Sequence, residues 1–193
     1  MSVSRMAFTA LVFSLSAILL SGCSSILAVG TAEPIQENPG KRTIGSIVDD
    51  EVIETKTLVN MRKTGDRLAK AHIVVTSYNG IVLLAGQVAS APLREQAATV
   101  AAAIPKVQRV YNELTVSGAT SGMARSNDAW ITAKIKSKML AKSAIPANRI
   151  KVVTENGTVY LMGLLSKEEG DRAAELARKT AGVQKVVRIF EYI

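Results

Sequence analysis

The feature that most constrains this chain is a repeat. His72-Ile-Val-Val-Thr-Ser-Tyr-Asn-Gly-Ile-Val-Leu-Leu-Ala-Gly86 aligns with Arg149-Ile-Lys-Val-Val-Thr-Glu-Asn-Gly-Thr-Val-Tyr-Leu-Met-Gly163 at an offset of 77 residues. After a one-residue gap, Glu95-Gln-Ala-Ala matches Asp171-Arg-Ala-Ala, and Val107-Gln-Arg-Val matches Val183-Gln-Lys-Val, at an offset of 76. Two copies of one small module therefore fill residues 44–193, and the fold of the chain reduces to the fold of that module.

Each copy parses in the same way. Asn79-Gly80 and Asn156-Gly157 sit between apolar, β-branched runs, a strong hairpin signal because Asn-Gly tolerates the positive φ of a type I′ turn. Ile73–Ser77 is predicted to pair with Ile81–Gly86, and Ile150–Thr154 with Thr158–Gly163, with Gly86 and Gly163 ending their strands. A helix follows in each copy. Pro92 marks the start of one over Leu93–Ala103, and Ser166 caps one that runs to about Thr180 with Glu168 and Glu169 in its first turn. The closing strands are Val107–Val116 and Val183–Tyr192. A leading helix precedes each hairpin, about Ile47–Lys63 and about Asn127–Lys142. The order is α-β-β-α-β, an α+β class in which helices pack on one face of a small mixed sheet. Modules of about 70 residues are marginal alone, which favours packing of the two copies on each other. The predicted division is 44–117 for the first module, 118–126 for a linker and 127–193 for the second module.

Ahead of the repeat, Arg5 precedes an apolar run from Ala7 to Leu20. Fourteen helical residues reach about 21 Å, short of the roughly 30 Å hydrocarbon core, so the run fits a signal peptide over residues 1–22 rather than a membrane span. Leu20-Ser21-Gly22-Cys23 resembles a bacterial lipobox. That likeness implies cleavage before the only cysteine and acylation of Cys23, and two or more acyl chains anchor stably. Ser24 and Ser25 follow where inner-membrane lipoproteins carry Asp, which implies the periplasmic face of the outer membrane. Residues 23–43 carry Gly30, Pro34, Pro39 and Gly40 without a sustained apolar period and read as a flexible tether.

Two strand-Asn-Gly-strand-Gly hairpins, each with an Ala-rich helix and a Val-Gln-(Arg/Lys)-Val strand, resemble tandem BON domains. With the lipobox, the whole chain resembles the dual BON-domain outer-membrane lipoproteins. The resemblance implies phospholipid binding without catalysis, maintenance of the outer-membrane barrier, and recruitment to division sites.

The net charge of +8 is unevenly placed. Residues 44–122 carry 8 basic and 7 acidic side chains, whereas residues 123–193 carry 13 and 7. On the second leading helix, Ile131, Ile135 and Met139 form the stripe expected to face the sheet. Trp130, Ala133, Ser137, Leu140 and Ala141 form another stripe roughly opposite, with Lys134, Lys138 and Lys142 to one side and Lys136 on the other flank. A helix resting on a sheet needs one apolar stripe, so Trp130 and Leu140 are left for another purpose. Framed by lysines, they suit contact with an anionic phospholipid surface. The competing arrangement has Trp130 packed against the first module and the lysines merely solvated. The equivalent first-module helix carries Asp49, Asp50, Glu51 and Glu54, which an anionic surface repels, so the second module is the expected lipid contact.

Catalytic chemistry finds no foothold in the sequence. One Cys and one His exclude an intramolecular disulfide and the usual zinc sets, and no cofactor is expected. His72 corresponds to Arg149 and is expected at a solvent edge. The glycines serve turns and strand ends rather than a phosphate loop. Acidic residues near helix starts are explained by the helix dipole. Nucleic acid is a poor fit for a chain with 4% aromatic residues and a lipoprotein signal. The expected protein is a noncatalytic, lipid-anchored phospholipid binder, monomeric and with room for envelope protein partners. The alternative is an envelope adaptor or chaperone-like protein that uses its modules to bind proteins rather than lipid.

Overall fold

The computed structural model describes Gly40 and residues 42–193. The signal peptide, Cys23 and nearly all of the tether lie outside the described residues. The first module consists of α1 (Ile44–Thr64), a single turn α2 (Asp66–Ala69), β1 (His72–Tyr78), β2 (Ile81–Val88), α3 (Ala91–Ala102) and β3 (Arg109–Val116). The second consists of α4 (Gly122–Leu140), a 3₁₀ turn (Ala147–Arg149), β4 (Ile150–Glu155), β5 (Thr158–Leu165), α5 (Lys167–Arg178) and β6 (Lys185–Tyr192). Each sheet has three strands in sequence order, the first pair antiparallel and the second parallel. The mixed α-β-β-α-β module is present twice.

Both hairpins turn as the Asn-Gly pairs require. Asn79 and Gly80 have φ of 52° and 76°, and Asn156 and Gly157 have 48° and 72°, the left-handed values of a type I′ turn. Register is conserved as well, with Ile73 opposite Gly86 and Ile150 opposite Gly163. Gly86 and Gly163, expected to end their strands, lie inside them instead, since β2 runs to Val88 and β5 to Leu165. A Cβ on Gly86 would sit 2.1 Å from the His72 carbonyl oxygen, and one on Gly163 would sit 2.7 Å from that of Arg149. Close approach of the paired backbone, not chain termination, selects glycine there.

The middle strands explain why the modules stay together. Successive side chains of a strand point to opposite faces. Val82 and Leu84 of β2 enter the core beneath α1 and α3, while Ile81, Leu83 and Ala85 point the other way. In β5, Val159, Leu161 and Leu165 face α4 and α5, while Tyr160 and Met162 join the side chains of β2 in a third core. Each sheet thus carries helices on one face and the other sheet on its second face. The layers run helix, sheet, sheet, helix, and α1 and α4 occupy opposite outer layers. Burial of the second face supplies the apolar area that a three-stranded module lacks by itself.

Polar contacts across the seam repeat about a pseudo-dyad. His72 Nε2 lies 3.3 Å from Glu155, and the Tyr78 hydroxyl donates to the Arg149 carbonyl at 2.9 Å. Positions 72 and 149, like 78 and 155, are the same position in the two copies, so these are one contact made twice with different residues. His72 is accordingly half-buried at the module interface rather than at a free solvent edge. Lys151 adds a 2.8 Å ion pair to Glu54 of α1.

Three local expectations change. The first leading helix starts at Ile44, capped by the Thr43 hydroxyl, so Asp49, Asp50 and Glu51 fall beyond its first turn. Asp50 is buried and accepts hydrogen bonds from the Ser77 hydroxyl at 2.7 Å and from the Asn79 and Gly80 N–H groups at 2.8 and 3.0 Å. Asp128 does the same for Asn156 and Gly157 at 2.8 and 2.9 Å. These carboxylates fasten a helix to a hairpin turn, an arrangement the dipole reading does not capture. Second, α4 begins at Gly122 with Ser121 as its cap, so the predicted linker 118–126 shrinks to the residues before the helix. Third, the closing strands start two residues late because Val107 and Val183 pack into the cores instead.

Candidate lipid-contact face

Every residue singled out on the second leading helix belongs to α4 or lies immediately after it. The sheet-facing stripe holds as expected: Ile131, Ile135 and Met139 are buried, together with Asp128. The opposite side is open. Trp130 is 56% exposed and Leu140 is 74% exposed, and Ala133, Ser137 and Ala141 are exposed beside them. The arrangement in which Trp130 packs against the first module is not the one adopted. Among the described residues, Trp130 belongs to none of the three cores.

The lysines divide by position. Lys134, one turn after Trp130, places its Nζ 4.2 Å from the centre of the indole ring, a cation-π pair that presents charge and aromatic surface together. Lys138 is half-buried and reaches the Thr180 hydroxyl at 3.3 Å. Lys142 is exposed but lies past the helix end, since Ala141 is the C-cap. Lys136 is exposed on the other flank and borders a cleft of about 210 Å³ lined also by Leu140, Ala147 and Ile150.

Sequence reasoning missed Met123. With the helix placed from Asn127, this residue fell in the linker, yet it is 85% exposed on the first turn of α4. At 100° per residue Met123, Trp130 and Ala141 fall within about 20° of each other, so Met123 extends the apolar stripe toward the N-terminus. The signal that marks this start is Ser121, whose hydroxyl accepts from the Ala124 N–H at 3.2 Å.

Nothing on this face resembles a catalytic set. Among the described residues, no three His, Cys, Asp or Glu side chains stand together to hold a metal. Burial raises the Tyr78 phenol and pushes the Tyr160 phenol up to about 12, with Glu113 and Glu155 adding to the latter. Both rings belong to the core between the two sheets. Among the described residues no helix is long and apolar enough to cross a membrane.

Comparison with known proteins agrees with the duplicated fold. The BON domain model matches residues 49–118 and again 127–192. Outer membrane lipoprotein DolP of Haemophilus influenzae is 37% identical over 176 residues, 91% of each chain. The 21 kDa hemolysin of Actinobacillus pleuropneumoniae is 43% identical over 79% of this chain and 78% of that one. Osmotically-inducible protein Y of Escherichia coli is 30% identical over 84% and 85%. Among solved structures, the C-terminal domain of CdsD, a structural protein of the type III secretion system of Chlamydia trachomatis, gives a TM-score of 0.29 at 13% identity, over 75% of this chain and 67% of that one. With two matched domains across most of its length, the chain belongs to the BON domain family, as a dual-BON protein of the DolP group.

Proposed function

We propose that this is a noncatalytic, lipid-anchored protein of the outer membrane, facing the periplasm, that binds anionic phospholipid through α4 and helps to maintain the membrane barrier. The observation that carries the reading is the exposed Trp130 with the Lys134 ammonium over its ring, on a helix whose other face is already buried. An indole suits the bilayer interface because its body is apolar and its N–H prefers a polar neighbour. Each Lys near an anionic surface contributes about 1 kcal/mol, so Lys134, Lys136 and Lys142 together give a useful but weak attraction. Acylation of Cys23 would hold the module beside the membrane and raise the effective concentration of that weak contact. The lipobox-like segment and the likeness to the Haemophilus outer membrane lipoprotein both support the outer-membrane placement.

Trp130 is the sole tryptophan, so its fluorescence reports on this face alone. Protein beginning at Ser24 is mixed with anionic or zwitterionic vesicles. A blue shift with anionic vesicles only, lost in Trp130→Glu, is expected. Absence of both a shift and co-sedimentation at low salt would exclude lipid contact and leave the reading of an adaptor that binds envelope proteins.

A further inference from the structure

The outward face of α1 carries an apolar stripe that the lipid reading leaves unused. Ile44, Val48, Val52 and Val59 are exposed, with Thr55 in line between them. From Val48 onward the spacing is four, three and four residues, the spacing of a helix that packs against another helix. The flanking charges are segregated by end. Exposed Glu51 lies in the first half, where half-buried Asp49 is already paired with Lys106 at 2.7 Å, and exposed Lys56, Arg62 and Lys63 lie in the second. The flanks of α4 differ, because its exposed charges are all basic: Arg125 and Lys136 on one side and Lys142 past the end.

We propose that α1 pairs with α1 of a second copy of this chain, antiparallel, about a dyad near Thr55 and Lys56. Antiparallel pairing sets the acidic half of each helix against the basic half of the other. Glu51 falls within about one residue of Arg62 of the second copy, while Asp49 stays paired with Lys106 of its own chain at 2.7 Å, and Val52, Thr55 and Val59 form the seam. Opposed helix dipoles favour the same orientation. Two copies of α4 brought together would repel each other instead. One helix face buries less than the roughly 800 Å² per partner of a standard interface. The pair is therefore weak in solution and is favoured where anchoring concentrates the copies on a membrane. Because α1 and α4 lie in opposite outer layers, pairing leaves both Trp130 faces uncovered but directed away from each other, and it does not depend on the lipid reading.

Protein beginning at Ser24 keeps the compact unit Pro39–Ile193 and has no thiol, so an introduced cysteine reports only on its own position. Under mild oxidation Thr55→Cys is expected to form a disulfide dimer at least about tenfold faster than Leu140→Cys on α4, as an elevated local concentration requires. Glu51→Arg or Arg62→Glu, added singly, should suppress that dimer, and the two together should restore it. Trp130→Glu should leave it intact even where it abolishes vesicle binding. Equal rates for Thr55→Cys and Leu140→Cys, preferential coupling of the two in a mixture, or failure of the charge exchange to restore the dimer would each overturn the proposal. The substituted side chains are exposed, and circular dichroism of each variant verifies the fold.

Discussion

The two leading helices, α1 and α4, are copies of one element, and they differ mostly on the outward side, although inward Thr57 stands where α4 has Ile135. Positions 50, 53 and 61 of α1 correspond to 128, 131 and 139 of α4 and carry Asp, Ile and Met in both. All six are buried. On the outward side Val52 stands where α4 has Trp130, Val59 where it has Ser137, and Arg62 where it has Leu140. The inward face is held by what both modules use: a stripe on the sheet and a carboxylate on the hairpin turn. The outward face is not so constrained, so one copy presents β-branched residues between separated charges and the other an indole among lysines.

The inward likeness can be broken at the paired aspartates, where the largest effect is expected. Asp50→Ala should destabilise the protein by about 3–5 kcal/mol, because it strands buried donors and leaves Arg42, which bonds Asp50 at 2.6 Å, without its partner. Asp128→Ala should cost less, about 2–3 kcal/mol, since Asp128 serves two backbone donors without an arginine. Urea unfolding measures both, and equal losses would show that the arginine contributes nothing.

Between the modules, Tyr160 makes the third core sensitive to alkali. Its folded pKa of about 12 exceeds the ordinary 10.0, so the folded state holds the proton more tightly. The stabilisation is complete below pH 10 and is lost as pH rises toward 12, by about 1.4 kcal/mol per pH unit at most. Tyr160→Phe should flatten that decline, as followed by urea unfolding at several pH values; an unchanged slope would place the titration elsewhere.

The outward difference is sharpened by matched substitutions. Trp130→Glu is expected to weaken binding to anionic vesicles at least about tenfold, a change of about 1.4 kcal/mol, while Val52→Glu at the corresponding position leaves it unchanged. Sedimentation with vesicles compares the two, and equal losses would mean that both helices touch lipid. Raising salt from 0.05 to about 0.5 M should weaken binding because the charge contribution is screened.

The smallest effect tests a backbone difference. Lys106 and Gly182 occupy the same position, both with positive φ, 72° and 96°. Lys106→Gly should stabilise by about 1 kcal/mol or less, because glycine carries no penalty in that region and the Lys106 ion pair with Asp49 is exposed. Gly182→Ala should destabilise by about 1–2 kcal/mol, since its Cβ would lie 2.9 Å from Ile131 Cδ1 besides adopting the strained φ. Thermal melts resolve both.

Much of this is legible in the sequence. The duplicated Asn-Gly hairpins fixed strand pairing and register, because that dipeptide selects one turn type and the turn sets the register. The 3.6-residue period of Ile131, Ile135 and Met139 identified the inward face, and hence the outward one on which Trp130 lies. Helix starts were read less well. Thr43 and Ser121 cap helices whose first turns are largely exposed, so no apolar period announces them, and Met123 was lost to the linker.

What the sequence determined by itself is therefore the module, its duplication and the placement of charge in the second copy, together with a lipobox-like segment ending at Cys23. All of these are local patterns or sums. Only the tertiary structure decided that the sheets meet face to face, that His72 faces Glu155 across the seam, and that Asp50 and Asp128 hold turns rather than cap dipoles. These contacts join residues 27 to 83 positions apart. No local pattern encodes which distant partner a buried polar group will find, because that choice is made when the apolar faces exclude water and bring the segments together.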